Sequence, residues 1–150
     1  IEYAISLIDS ALIYSPSDAL YATKIQYNVY IGRLDSAMCV ASRFWKENDE
    51  SYSMSVATGL LYDINNNKDS ADYFYNKAIS TLAKTRKDHS DIYYKLDVKY
   101  LEILLYGSAD CAEYFDEAQK HKDSLLLLNY INHLDTLNVD FIKREFIKGY

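Results

Sequence analysis

Residues 68–78 read Lys-Asp-Ser-Ala-Asp-Tyr-Phe-Tyr-Asn-Lys-Ala and follow directly on the polar run Asn65-Asn66-Asn67. The chain already reads Leu34-Asp35-Ser36-Ala37 just after a turn that contains Gly32. Asp-Ser-Ala thus recurs after 34 residues, the period of a two-helix repeat. Within the later stretch Ala71, Tyr75 and Ala78 are spaced by four and three, so they share one helix face. Small residues let paired helices approach closely, and the large residue between them fills the groove of a neighbour. Ala4, Ile8 and Ala11 repeat that pattern with an aliphatic filler, and Cys111, Phe115 and Ala118 repeat it with cysteine as the small residue. The helix of Ala37 departs from it, because Ala41 and Phe44 reverse the small and large positions.

Working outward, apolar spacings of three and four dominate and sustained alternation is scarce, which predicts helices throughout. Residues 1–14 form one helix, with Ile1, Ala4, Ile5, Ile8, Ala11 and Leu12 along a stripe, and Ser15-Pro16-Ser17 stops it. Further helices are expected over 18–31, 34–46, 50–64, 69–84, 91–106, 109–121, 124–137 and 139–148, with 84–90 as the longest loop. Composition agrees. Only four Gly and one Pro in 150 residues disfavour a turn-rich β fold, and one domain over 1–150 is expected. Asp+Glu 22 against Lys+Arg 16, a net charge of −6, argues against nucleic acid as a partner. No apolar run approaches the length of a membrane span.

The 34-residue period, the Ala71/Tyr75/Ala78 pattern, Gly59 and Tyr62 in the preceding helix, and Pro16 at a repeat end together make the sequence resemble the tetratricopeptide repeat (TPR) family. The resemblance is good over 16–84, partial over 1–15, degenerate over 91–121 and only architectural over 124–150. In the unit of Ala37, Ile25 and Asn28 stand where Gly59 and Tyr62 stand in the next. The resemblance implies an all-α α-solenoid of stacked antiparallel hairpins, about three pairs with partial terminal units. It also implies a concave face that binds a protein or peptide without chemistry. Carried over by register, that groove is lined by Ala22, Gln26 and Val29, then by Val56, Leu60 and Asp63, with Tyr93 and Tyr100 as aromatic candidates on a third helix. Ala22 and Val56 stand where a polar clamp for a terminal carboxylate would be useful, so such a ligand is not expected.

Counting back from Cys111 would place Lys95, Lys99 and Glu102 in the core of helix 91–106. Burying unpaired charges is costly, so the apolar stripe Tyr93, Leu96, Tyr100, Ile103 and Leu104 is taken as the inward face. Tyr27, Tyr62 and Tyr75 are expected in the core. Sixteen tyrosines exceed what such a core needs, and Tyr73-Phe74-Tyr75 cannot all face inward on a helix.

Reactive chemistry finds no foothold. His89, His121 and His133 belong to no metal-binding spacing, and His89 with Asp91 and His121 with Asp123 read as polar loop neighbours. Cys39 and Cys111 read as small buried apolar residues. Asp35, Asp69, Asp88 and Asp91 lie near helix starts, where they serve as caps or complement the dipole. No nucleophile motif or phosphate-binding loop is present, and neither an enzyme nor a cofactor is expected.

The alternative to a binding groove is a self-association or sensory segment of a larger bacterial protein. Phe141, Ile142, Phe146, Ile147 and Tyr150 are many apolar residues for a ten-residue helix. They are expected either to fold back on 124–137 or to meet a second copy or a following domain, and the chain reads as a piece of something longer. The compartment stays open between cytoplasm and envelope.

Overall fold

A computed structural model describes residues 2–148, and Ile1 and Tyr150 of the apolar sets above lie outside them. Among the described residues the chain is all-α, with no strand. The helices are α1 (Glu2–Tyr14), α2 (Asp18–Tyr30), α3 (Leu34–Glu47), α4 (Tyr52–Ile64), α5 (Lys68–Thr85), α6 (Ile92–Tyr106), α7 (Phe115–Lys120), α8 (Ser124–Thr136) and α9 (Val139–Lys148). By its packing the chain falls into two compact units. Of the described residues, one holds 2–81 and 143–148, the other 82–142.

In the first unit the repeat is visible in the backbone. After α2 the chain turns through Gly32 at φ 75°, and after α4 through Asn66 at φ 58°, 34 positions on. Both residues adopt the left-handed conformation that glycine and asparagine tolerate best. The Arg33 N–H donates to the Asn28 carbonyl at 2.8 Å and Gly32 N–H to Val29 at 2.9 Å. At the second turn Asn67 N–H donates to Tyr62 at 2.9 Å and Asn66 N–H to Asp63 at 3.1 Å. Each pair closes a helix C-terminus with the same Schellman geometry, satisfying carbonyls that the helix itself leaves open. At the N-termini, Ser17 Oγ accepts from Leu20 N–H and Ser51 Oγ from Met54 N–H. Asn67 Oδ1 caps α5 by accepting from Ser70 N–H, so the cap lies two residues before the Asp69 that the sequence suggests.

The core of this unit is a cluster of Ile25, Val29, Ala37, Ala41, Phe44, Met54, Ala57 and Leu61 from α2, α3 and α4. Helix α2 packs on α1, α3 and α4, and α3 packs on α4. Ala71, Tyr75 and Ala78 are all fully buried, as their spacing predicts, whereas Tyr73 is 61% exposed. Tyr27 and Tyr62 are half-buried, so of the three expected core tyrosines only Tyr75 is enclosed. The reversed Ala37/Ala41/Phe44 set is buried too, since its spacing of four and three also keeps it on one helix face. In α1, Ile8 is buried while Ala4 and Ala11 stay half-exposed.

Cys39 is exposed, which corrects the expectation of a buried thiol. It lies about 200° around α3 from the inward-facing Ala37, on the opposite side of the helix.

In the second unit α8 packs on α6 and α7. Leu96, Ile103 and Leu104 of the α6 stripe are fully buried, Tyr93 and Tyr100 are half-buried, and Ile92 and Leu101 join the core as well. The charges stay at the margin: Lys95 pairs with Glu117 at 2.8 Å, and Lys99 with Glu102 and Glu113 at 3.1 Å each. The single helix expected over 109–121 is instead a turn, a short 3-10 segment (Ala112–Tyr114) and α7. Asp110 Oδ1 accepts from Ala112 N–H, and Asp135 Oδ1 accepts from Cys111 N–H at 3.1 Å. These side chains offer the backbone a competitor to helical bonding.

Candidate functional site

Of the groove residues expected in the first unit, Ala22 and Gln26 on α2 and Val56 on α4 are half-exposed. The other three are corrections to the groove. Val29 is 4% exposed because it lies one turn from Ile25 on the inward stripe of α2. Leu60 is 3% exposed because α4 is apolar nearly all round, with Ala57, Gly59, Leu60 and Leu61 all buried. Asp63 is 8% exposed and ties three elements together. Its Oδ2 accepts from the Tyr75 hydroxyl at 3.1 Å, its Oδ1 lies 3.4 Å from Lys143 Nζ, and Lys68 Nζ stands 4.0 Å away. Tyr93 and Tyr100 belong to the second unit.

Lys143 brings α9 into this account. Residues 143–148 belong to the first unit, and Phe146 packs half-buried against the Ile25–Leu61 cluster. The sequence leaves open whether the C-terminal helix folds back on 124–137 or meets a second copy or a following domain. Ile142 is buried, while Phe141 and Ile147 are 39% and 41% exposed.

Grooves indent the first unit. One of about 590 Å3 is walled by Leu12 and Ile13 of α1, Tyr21 and Asn28 of α2, and Cys39 and Arg43 of α3. An ion pair between Lys24 and Asp9 crosses its wall. Another, about 310 Å3, is lined by Trp45, Tyr62 and Phe74. Aromatic rings run in contact through this unit: Tyr21 to Phe44 at 5.3 Å, Phe44 to Trp45 at 5.0 Å, Trp45 to Phe74 at 5.4 Å and Phe74 to Tyr62 at 5.7 Å. Lys77 Nζ lies 4.3 Å from the centre of the Trp45 ring, a cation–π contact. The sequence singles out tyrosine as a surface resource but not Trp45, whose contacts with Phe74 and Lys77 come from α5.

In the second unit the Tyr93 hydroxyl donates to Asp123 Oδ2 at 2.9 Å, and Asp123 N–H donates to His121 Nδ1 at 3.1 Å. The hydrogen bond to Asp123, with some burial, pushes the Tyr93 phenol above its ordinary value, so it stays a donor. Burial works against the charge of Lys99, yet its hydrogen bonds to Glu102 and Glu113 outweigh that and raise its pKa. The Cys111 thiol, desolvated and beside Asp135, is pushed up to about 11 and is no thiolate nucleophile at neutral pH. Among the described residues no group of His, Cys, Asp and Glu is placed to hold a metal ion. Among them, too, no helix is long and apolar enough to cross a membrane.

These arrangements offer apolar, aromatic and cationic contact surface. Set against protein-family models, curated proteins and solved structures, the chain matches none.

Proposed function

We propose that this chain is a non-enzymatic scaffold that binds a protein or peptide along α2 and α4, as a TPR-like α-solenoid would. The observation that carries the reading is the 34-residue recurrence of the closing turns at Gly32 and Asn66, with matching backbone hydrogen bonds. Equivalent turns give successive helix pairs equivalent geometry, which is how stacked hairpins build an extended binding face. The packing of α2 on α1, α3 and α4 supports the same neighbour order. Ala22, Gln26 and Val56 are the accessible lining residues on the two helices.

The test is selection of peptides on the immobilised chain from a random display library, followed by fluorescence anisotropy. Gln26→Arg and Val56→Glu are expected to weaken a selected peptide by about tenfold or more, with helicity unchanged. Unchanged affinity in both variants overturns this surface, and a library that yields no binder overturns the binding reading.

A second reading, self-association, is favoured by α1. Tyr3, Leu7 and Tyr14 share one face of that helix and, with Ile13, are 52–87% exposed. It is also the role expected of a sensory or regulatory segment in a larger bacterial protein. Light scattering across a concentration series tests it. A dimer that Leu7→Glu dissociates supports it, and a monomer at every concentration overturns it.

A further inference from the structure

The C-terminal turns of α9 rest on the helices proposed above to bind a partner. Lys143 and Phe146 are three residues apart, so they share one helix face. From that face Lys143 reaches the nearly buried Asp63 of α4, and Phe146 lies against the apolar cluster of α2, α3 and α4. Ile147 stays 41% exposed and Phe146 is only half-enclosed. This is a shallow seat for a ten-residue helix, and helices that short are marginal in water without packing.

The geometry points to residues 143–148 as an internal stand-in for the partner. On this view the surface around Asp63 is a helix-docking site, its external ligand is an amphipathic helix with a cation and an aromatic residue three positions apart, and α9 competes with it. The inference rests on the binding reading above and specifies its ligand. The chemistry of the ligand follows from what the departing segment uncovers. Asp63 keeps its Tyr75 hydrogen bond but loses Lys143, the nearer cation; Lys68 stands 4.0 Å off and pairs with Asp72 at 2.8 Å, so the nearly buried carboxylate is left weakly compensated, which is costly. The incoming helix therefore supplies a Lys or Arg. The apolar surface left by Phe146 calls for a large aromatic or aliphatic side chain at the next position on the same face. Because the stand-in is tethered, it acts at a high effective concentration, and an external helix binds weakly until the tethered one is released.

The probe is a fluorescent peptide of residues Val139–Lys148, VDFIKREFIK, supplied in trans to the full chain. The chain with Phe146→Asp is expected to bind it about tenfold or more tightly than the unaltered chain. A peptide carrying Glu in place of Lys143 should lose most of that gain. Equal binding by both chains overturns the inference, as does equal binding of the two peptides. Should Phe146→Asp lower the helicity, Lys143→Glu in the full chain is the second release variant, and no gain there is equally decisive against it. The two readings fail separately. Library-selected peptides that bind the released and unaltered chains equally would sink the competition by α9 and leave the scaffold role intact. A released chain that takes VDFIKREFIK but no library peptide would do the reverse.

Discussion

Gly59 of α4 stands under the ring of Tyr75 of α5, so closely that a Cβ on residue 59 would come within 2.4 Å of Tyr75 Cε1. The ring has little freedom to yield. Tyr75 is fully buried and its hydroxyl is held by Asp63. Alanine at 59 would gain roughly 1 kcal/mol of helix propensity over glycine. Overpacking of a closed contact costs about 1–3 kcal/mol or more. Gly59→Ala is therefore expected to lower the unfolding midpoint, and the loss should shrink when Tyr75→Leu is added. A melt unchanged by Gly59→Ala would show that the ring shifts without strain.

Leu60 illustrates how burial changes the meaning of a substitution. As an exposed groove residue, Leu60→Glu would weaken binding and spare the fold. At 3% exposure it instead forces a carboxylate into a packed helix interface. The expected loss is on the order of 3 kcal/mol or more, read by urea denaturation. A folded Leu60→Glu chain with native stability would restore Leu60 to the surface.

The two cysteines should differ sharply in reactivity. Cys39 is exposed, and Cys111 is buried with its thiol pushed up to about 11. At pH 8 a thiol-specific colour reagent is expected to titrate one cysteine in the native chain and both in denaturant. Cys39→Ser should abolish the native signal. Rapid native labelling of Cys111 would mean that its surroundings open readily.

Asp97 provides a pH test. Burial raises its pKa, and the Arg86 guanidinium 3.3 Å away only partly opposes this. A carboxyl whose folded pKa exceeds its unfolded value binds its proton more tightly when folded. Its ionised form thus works against folding at neutral pH. That burden lifts as pH falls through the folded value toward the ordinary carboxylate range. Asp97→Asn should raise stability at pH 7 by less than about 1 kcal/mol, since the pair is partly solvated, and the gain should vanish below pH 4. Lower stability of the variant at pH 7 would show that the ion pair dominates.

The sequence by itself determined the helical class, most helix limits and the 34-residue recurrence, because all three rest on local chemistry. Turn residues such as Gly32 and Asn66 and the spacing of Ala71, Tyr75 and Ala78 act within a few positions of one another. That Tyr73, Phe74 and Tyr75 cannot all face inward was legible for the same reason. Only the tertiary structure decided which helix faces find a partner. Leu60 and Asp63 look like surface positions from repeat register alone, yet α4 is enclosed and Tyr75 and Lys143 converge on Asp63. Cys39 looks like core from residue type alone, yet it points away from Ala37 and Ala41. Phe146 could satisfy its apolar surface on any neighbouring helix, and the choice of the α2–α4 cluster depends on contacts more than 80 residues away in sequence. Periodicity says how much apolar surface a helix must bury. It carries no information on what the helix buries that surface against.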